Sequence, residues 1–317
     1  MNKKNLKYRE TMSVIVDEHF SFEKTFFSPS RFPSKLELYN KNKGCYYLPL
    51  NLGFIKLGLK YYMCHKQLCV DIFSERELSK DSLIIAKKEI KYRLSLNNNY
   101  SQFYSKYEND RYLKDIINRN REKQKFRMYS LYENLIVSTF LQNATVQRTI
   151  KMCQNMLERY GTLLCFNGIE LYAMWRPEEL KATDEELRAL KLGYRSKNIL
   201  RITEHFINNE INESELREMP TDKLEKELLE IYGVGKQTVF YLIDRPEYLK
   251  HIPLWERKIL SKYLFDKELV EEKILIEWFH TQYGQWCGMA LTLIFEDIFY
   301  QHKKKPFPWL KKIMREK

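Results

Sequence analysis

Apolar positions recur along this chain with two different periods. Up to about residue 100 they come in short, dense runs: Cys45-Tyr-Tyr-Leu-Pro-Leu50, Leu57-Gly-Leu-Lys-Tyr-Tyr-Met-Cys64 and Leu68-Cys-Val-Asp-Ile-Phe73. Gly, Pro and Asn-Lys punctuation separates them, a pattern that predicts a small, mostly antiparallel sheet. Leu96-Asn-Asn-Asn-Tyr100 breaks the pattern, and beyond it the spacing is helical to the C-terminus. Helices are expected over Tyr112–Ile117, Leu131–Phe140, Thr145–Tyr160, Asp184–Leu192, Ser196–Ile207, Trp255–Phe265, Val270–Tyr283 and Gly288–Phe299. The expected class is α+β: a β-rich N-terminal domain over residues 1–100 and an all-helical domain over 101–317. A length of 317 residues allows about two domains, and no internal repeat stands out.

One helical pair is more informative than the rest. Leu224, Leu228 and Ile231 mark one apolar face, Thr238, Tyr241 and Leu242 begin another, and Gly233-Val234-Gly235 lies between. A Gly-Val-Gly turn predicts permissive φ angles and close backbone approach. It aims backbone N–H groups outward at the start of the second helix, where an anion is favoured. A nucleic-acid phosphate fits such a point, with Lys236 beside it as a point charge. The plainer alternative is a helical hairpin with a glycine cap and no ligand.

Charge narrows the choice of partner. The chain carries 54 Lys+Arg against 42 Asp+Glu, a net charge of +12. Such a surplus favours polyanions, because phosphate contacts release counterions. A membrane is the weaker choice, since no run of about 18 apolar residues exists. The N-terminus, MNKKNLKYRETMS, has no apolar signal core, so a cytoplasmic, nucleoid-associated or nuclear location is expected. The six cysteines are scattered without disulfide or metal-ligand spacing, Cys64 and Cys69 beside His65 included. No metal site is expected. Lys303-Lys-Lys305 with Lys311 and Lys312 forms a short basic tail.

Several segments together carry a resemblance. Glu133-Asn-Leu-Ile-Val-Ser-Thr-Phe-Leu-Gln142-Asn143, Leu192-Gly-Tyr194-Arg195-Ser-Lys197-Asn198, the Gly-Val-Gly hairpin and Gly284-Gln-Trp-Cys-Gly288-Met-Ala follow in order. Over roughly residues 95–300 the chain resembles the helix-hairpin-helix DNA glycosylases, most closely the 8-oxoguanine and 3-methyladenine glycosylase II branch. The iron–sulfur branch does not fit, because only Cys287 follows the hairpin and a cluster needs four ligands. The resemblance implies a monomer that bends duplex DNA, extrudes one nucleotide and stabilises an oxocarbenium-like sugar as the base leaves. It implies DNA contacts from Gly233, Gly235, Lys236 and Thr238, and no cofactor beyond a monovalent cation shared through the hairpin carbonyls. Asn143 matches the residue that enters the vacated stack, and Arg148, Tyr194 and Arg195 match those beside the orphaned base. Phe295 matches the aromatic that stacks on the extruded base, with Gln237, Tyr241 and Leu291 lining the pocket.

At the catalytic positions the chain departs from that pattern. Gln237 stands where bifunctional members carry the Schiff-base lysine, and Lys236 is one residue early, about 100° away on a helix. Trp255 stands where nearly all members carry an aspartate, in His251-Ile-Pro-Leu-Trp-Glu256-Arg257. Leu291 replaces the glutamine that contacts oxidised guanine. The candidate catalytic groups are therefore Glu256, the nearest carboxylate, and Lys236 if the hairpin register is shifted. The alternative for Glu256 is a solvated charge at a helix start. Two classes of function stay open: a monofunctional glycosylase for an oxidised or alkylated base, and a lesion reader without chemistry.

Overall fold

The structure, a computed structural model, describes residues 2–16, 20–27, 34–95, 100–120 and 126–315. The chain begins β1 (Asn2–Asn5), β2 (Tyr8–Val14), α1 (Phe22–Phe26), β3 (Leu38–Asn40), β4 (Cys45–Asn51), β5 (Lys56–Cys64), β6 (Gln67–Ser74) and α2 (Lys80–Arg93). It continues α3 (Ser101–Tyr107), α4 (Lys114–Asn120), α5 (Leu131–Leu141), α6 (Val146–Tyr160), β7 (Thr162–Phe166), β8 (Ile169–Ala173), α7 (Asp184–Ala189) and α8 (Arg195–Ile207). Then follow α9 (Glu213–Glu218), α10 (Thr221–Glu230), α11 (Lys236–Leu242), α12 (Leu254–Phe265), α13 (Glu272–Tyr283), α14 (Cys287–Lys304) and α15 (Pro308–Arg315). The chain is α+β, with the strands first and the helices mostly after them. The Leu96–Asn99 break lies outside the described residues.

Contacts divide the chain into two compact units, residues 1–99 with 122–211, and 100–121 with 212–317. The sequence-based boundary at residue 100 does not coincide with these units, because contacts place α5–α8 with the N-terminal strands.

In the first unit an antiparallel sheet runs β2-β6-β5-β4-β3. Alternate residues of β4 serve two cores. Tyr46, Leu48 and Leu50 join Ala86, Ile90 and Leu94 from α2 and its C-terminus, while Cys45 and Tyr47 join Leu6, Phe166 and Leu171. Burial on both faces explains why Cys45–Leu50 reads as a continuous apolar run. Gly58 is required there, because a Cβ would lie 2.5 Å from the Phe166 ring.

The second sheet overturns the expectation of helix alone beyond residue 100. β7 and β8 form a hairpin, and β1 adds to β7 in parallel. Asn167 and Gly168, at φ 50° and 76°, make its turn. Asn-Gly between two apolar runs was the available signal.

In the second unit α3, α4 and α12–α15 enclose one core that includes Phe103, Ile117, Ile259, Leu275, Phe279, Ile294 and Leu310. Asp297 of α14, nearly inaccessible, receives a bidentate pair from Arg119 of α4 at 2.8–3.0 Å. The start of α14 is pressed against the loop after α11: Gly288 N–H donates to the Pro246 carbonyl at 2.9 Å. A Cβ on Gly288 would fall 2.4 Å from the Tyr248 carbonyl oxygen. Gly288→Ala should therefore displace that loop and destabilise the fold by about 1–3 kcal/mol, the usual range for overpacking. A denaturant midpoint equal to wild type would show that the loop yields freely.

Candidate functional site

The first unit assembles one cluster from two turns. α5 opens on a capping box between Ser130 and Glu133 and closes at Gln142; α6 opens on Thr145, whose hydroxyl accepts from the Arg148 N–H. Asn143, between them, is exposed at φ 43°, a left-handed conformation that Asn tolerates better than most residues. Its amide donates to the Tyr194 hydroxyl at 3.5 Å. Arg148 is exposed in the first turn of α6. Asn143, Arg148 and Tyr194 thus reach solvent.

Arg195 does not, which corrects its expected role beside the orphaned base. It is 1% exposed, and its guanidinium donates to the carbonyls of Gln142 and Leu192 and lies under the Tyr194 ring at 4.7 Å. Burial lowers its pKa, and Arg148 adds to that against the opposing effect of Tyr194. Its geometry makes it a clamp on the turns that present Asn143 and Tyr194. A Gly-Tyr-Arg motif looks the same in sequence for either role.

In the second unit the hairpin forms as expected, with one revision. Gly233, at φ 80°, is the position that needs glycine's freedom. Gly235 is extended at φ −110°, and a Cβ there would meet nothing within 4 Å. It is the N-cap of α11, no side chain caps it, and first-turn amides have no intrahelical partners. Lys236 and Gln237 are exposed and Thr238 half-buried beside these amides.

Glu256 is not a solvated helix start. It lies in the first turn of α12 and is 4% exposed. The Tyr241 hydroxyl donates to its carboxylate. Burial, then the Glu256 charge, push that hydroxyl well above the ordinary tyrosine range, against a hydrogen bond from Gln237. The tyrosine's exposed surface is therefore its ring, with the polar tip turned inward. Gln237 and Tyr241 are four residues apart and share a helix face. Gln237 is thus the residue brought to the carboxylate's partner, and Lys236 lies on another face.

The other face of the α12 start is aromatic. Trp255 meets Phe295 edge-on at 5.7 Å and Phe299 at 5.6 Å. The residue in the expected aspartate position therefore packs on the ring expected to stack on a base, while Glu256, one residue on, turns to α11. Leu291, expected in that pocket, is 2% exposed and belongs to the helical core, which corrects its assignment. A surface depression of about 550 Å³ lined by Ser214, Glu215, Glu218, Met219, Pro220 and Lys223 includes none of the candidate residues. Among the described residues no cluster of His, Cys, Asp and Glu could hold a metal, and no helix is long and apolar enough to cross a membrane.

Sequence reasoning missed the group that holds the α12 start. Glu272 of α13 accepts from the Ile252 N–H at 2.9 Å and pairs with His251 at 2.6 Å. Arg257 approaches it at 3.9 Å.

The fold is that of the helix-hairpin-helix DNA glycosylases. An 8-oxoguanine glycosylase/lyase from Clostridium acetobutylicum, solved with double-stranded DNA containing cytosine opposite 8-oxoG, superposes with a TM-score of 0.69 at 18% identity, covering 94% of this chain and 99% of that one. A 3-methyladenine DNA glycosylase from Archaeoglobus fulgidus superposes with a TM-score of 0.68 at 19% identity, covering 93% and 99%. MBOgg1 in complex with a low-affinity DNA ligand gives 0.68 at 20% identity, covering 91% and 94%. No family model and no curated protein matches the sequence.

Glu272 gives the site a pH signature. Burial alone would raise its pKa, but the Ile252 amide, His251 and Arg257 together hold it below the ordinary value of 4.5. A carboxylate depressed by folding stabilises the fold above its unfolded pKa and loses that contribution as pH falls through the folded value. Glu272→Gln should therefore lower the unfolding midpoint at neutral pH, with the gap to wild type closing below about pH 4. A gap that is constant with pH would show that the charge contributes nothing.

Proposed function

We propose that the protein is a monofunctional DNA glycosylase that excises a damaged, oxidised or alkylated, base from duplex DNA, with Glu256 as the carboxylate facing the sugar. The observation that carries this reading is the burial of Glu256 against Tyr241 at the start of α12. A buried carboxylate is poor evidence of stability, because an apolar residue of similar size is often neutral or better there. Buried, partnered ionisable groups are instead characteristic of functional sites. The neighbouring glycosylases of known structure share the fold, and two of them were solved with DNA.

The residues divide the work by chemistry. The uncapped amides after Gly235, with Lys236, offer donors to one phosphate. The carbonyls of Ile231 and Gly235 each accept one N–H, from Val234 and Val239, which leaves a lone pair for a monovalent cation. Asn143 and Tyr194 fill the gap left by the extruded nucleotide, and Arg148 contacts the base opposite. In the reaction the glycosidic bond breaks with its electrons leaving on the base, and water adds to the sugar carbon and gives up one proton, which balances the released base. Glu256 offsets the positive charge that develops on the sugar. Gln237 has no nucleophilic amine, so no covalent Schiff base forms and the abasic strand stays intact.

A second reading, lesion binding without excision, is favoured by Trp255. Its indole meets edge-on the Phe295 ring on which a base would stack.

Incubation with duplexes carrying one modified base each separates the two. Base release seen after hot alkali, with no borohydride-trapped adduct, is the expected outcome. Glu256→Gln should slow release at least a hundredfold with DNA affinity kept, since charge stabilisation of this kind is commonly worth about 3–4 kcal/mol. Full activity in that variant would eliminate Glu256, and trapping lost in Lys236→Ala would make Lys236 the nucleophile. Tight binding to one lesion without release from any would establish the second reading.

The binding half has its own test. Gly235→Asp sets a carboxylate beside the phosphate at a position with open space and no demand on φ. Duplex affinity should fall more than tenfold at fixed salt while the melting temperature holds. Unchanged affinity would remove the hairpin from the interface.

A further inference from the structure

The C-terminal end of the second unit carries charge that the proposed site does not use. From Ile298 to Arg315 the chain contains Lys303, Lys304, Lys305, Lys311, Lys312 and Arg315, and no Asp or Glu. All five lysines are exposed. Three other lysines of this unit have carboxylate partners: Lys250 with Asp222 and Glu225, Lys262 with Asp266, and Lys273 with Glu277. Among the described residues Lys304, Lys305, Lys311 and Lys312 have no carboxylate partner. The nearby Asp297 is turned inward to Arg119.

The patch is built on anchored structure. Leu310 is fully buried in the core, with Trp309 and Ile313 packed against it, so α15 has Lys311 and Lys312 on its outer side. The Phe307 and Trp309 rings stack at 5.6 Å, and the Phe307 N–H donates to His302 Nδ1 at 2.9 Å. These contacts fix the turn that joins the Lys303–Lys305 run to α15. Lys304 lies over the Tyr300 ring at 4.5 Å, which leaves its charge in place, and four cations without carboxylate partners on one anchored segment repel one another, a cost that a bound polyanion removes.

We infer that the Lys303–Lys312 surface is a second DNA-backbone contact, independent of the hairpin and indifferent to the lesion. It rests on the reading of duplex DNA as the partner. Lysines suit the task, because ammonium groups meet phosphates as point charges and read no base.

The test is the salt dependence of binding to an undamaged short duplex, measured by fluorescence anisotropy on the full chain. Each neutralised phosphate contributes about 0.9 to the log–log slope, so replacing Lys304, Lys305, Lys311 and Lys312 together by Gln should flatten it by about 3–4. Arginine at the same four positions should restore the slope, and the preference for damaged over undamaged duplex should not change. Gln at Lys43, Lys66, Lys88 and Lys91, exposed lysines of the first unit, removes equal charge and should have a smaller effect. An unchanged slope, or equal flattening in that control, would overturn the proposal while leaving the hairpin reading intact. Loss of binding to phosphatidylserine vesicles with the DNA slope unchanged would assign the patch to lipid and overturn it too. Wild-type protein that bound no duplex would sink both readings together.

Discussion

The second unit is organised around a carboxylate held out of water. Removing an ion such as Glu256 from solvent costs several kcal/mol even after relaxation. A hydrogen bond to a charged group, here from the Tyr241 hydroxyl, returns about 1.5–3 kcal/mol of that. The balance makes the two residues interdependent: without Tyr241 the carboxylate loses a donor, and without Glu256 the buried hydroxyl tip loses its acceptor. The pair also crosses elements, joining α11 to the first turn of α12. α11 has seven residues, too few for helical stability of its own, and Val239 is its fully buried residue. The side chain that donates to the buried carboxylate therefore also docks the second helix of the hairpin.

The first unit uses a buried cation in the same way. Arg195 contributes no charge to the surface, yet it reaches the carbonyls of Gln142 and Leu192, the ends of two segments far apart in sequence. Main-chain carbonyls at helix ends are common partners for such a group. The residues it supports, Asn143 and Tyr194, are exposed and touch one another. In both units an exposed candidate contact is thus held by an ionisable side chain that solvent does not reach. Stability alone seldom favours such an arrangement, whereas a surface that must hold its shape before a partner arrives does.

Elements were far more legible in the sequence than contacts. The expected spans Leu131–Phe140, Thr145–Tyr160, Ser196–Ile207 and Trp255–Phe265 fall within a residue or so of the observed helices: the second and third have a strong apolar period, the first starts on a capping box and the last follows Pro253. The β7–β8 hairpin was passed over because Thr162–Ala173 is short and lies among helices, although Asn167-Gly168 marks its turn. α2 was missed because Ile84 and Ile85, both exposed, blur its periodicity. Side-chain roles were less readable still. A motif singles out Arg195 and Leu291, but only packing shows that one holds two carbonyls and the other lies in the helical core. Glu256 shows the converse: a charge at a helix start reads as solvated, and tertiary contact alone reveals it as buried.

The departure at Trp255 bears directly on chemistry. Moving a carboxylate one residue along a helix rotates it by about 100°, and on α12 that rotation takes it from the aromatic face to the face of α11. Trp255 then occupies the space an aspartate would leave open, against Phe295 and Phe299. A base entering beside Phe295 must share that wall with an indole, which adds a large apolar surface and removes a negative charge. A carboxylate acting from the α11 side would approach the sugar from a different direction than an aspartate at position 255. The indole and the shifted carboxylate are then one change rather than two. On the proposed reading the aromatic wall would take over base contact, and the charge that the sugar needs would come from the adjoining residue of the same helix turn.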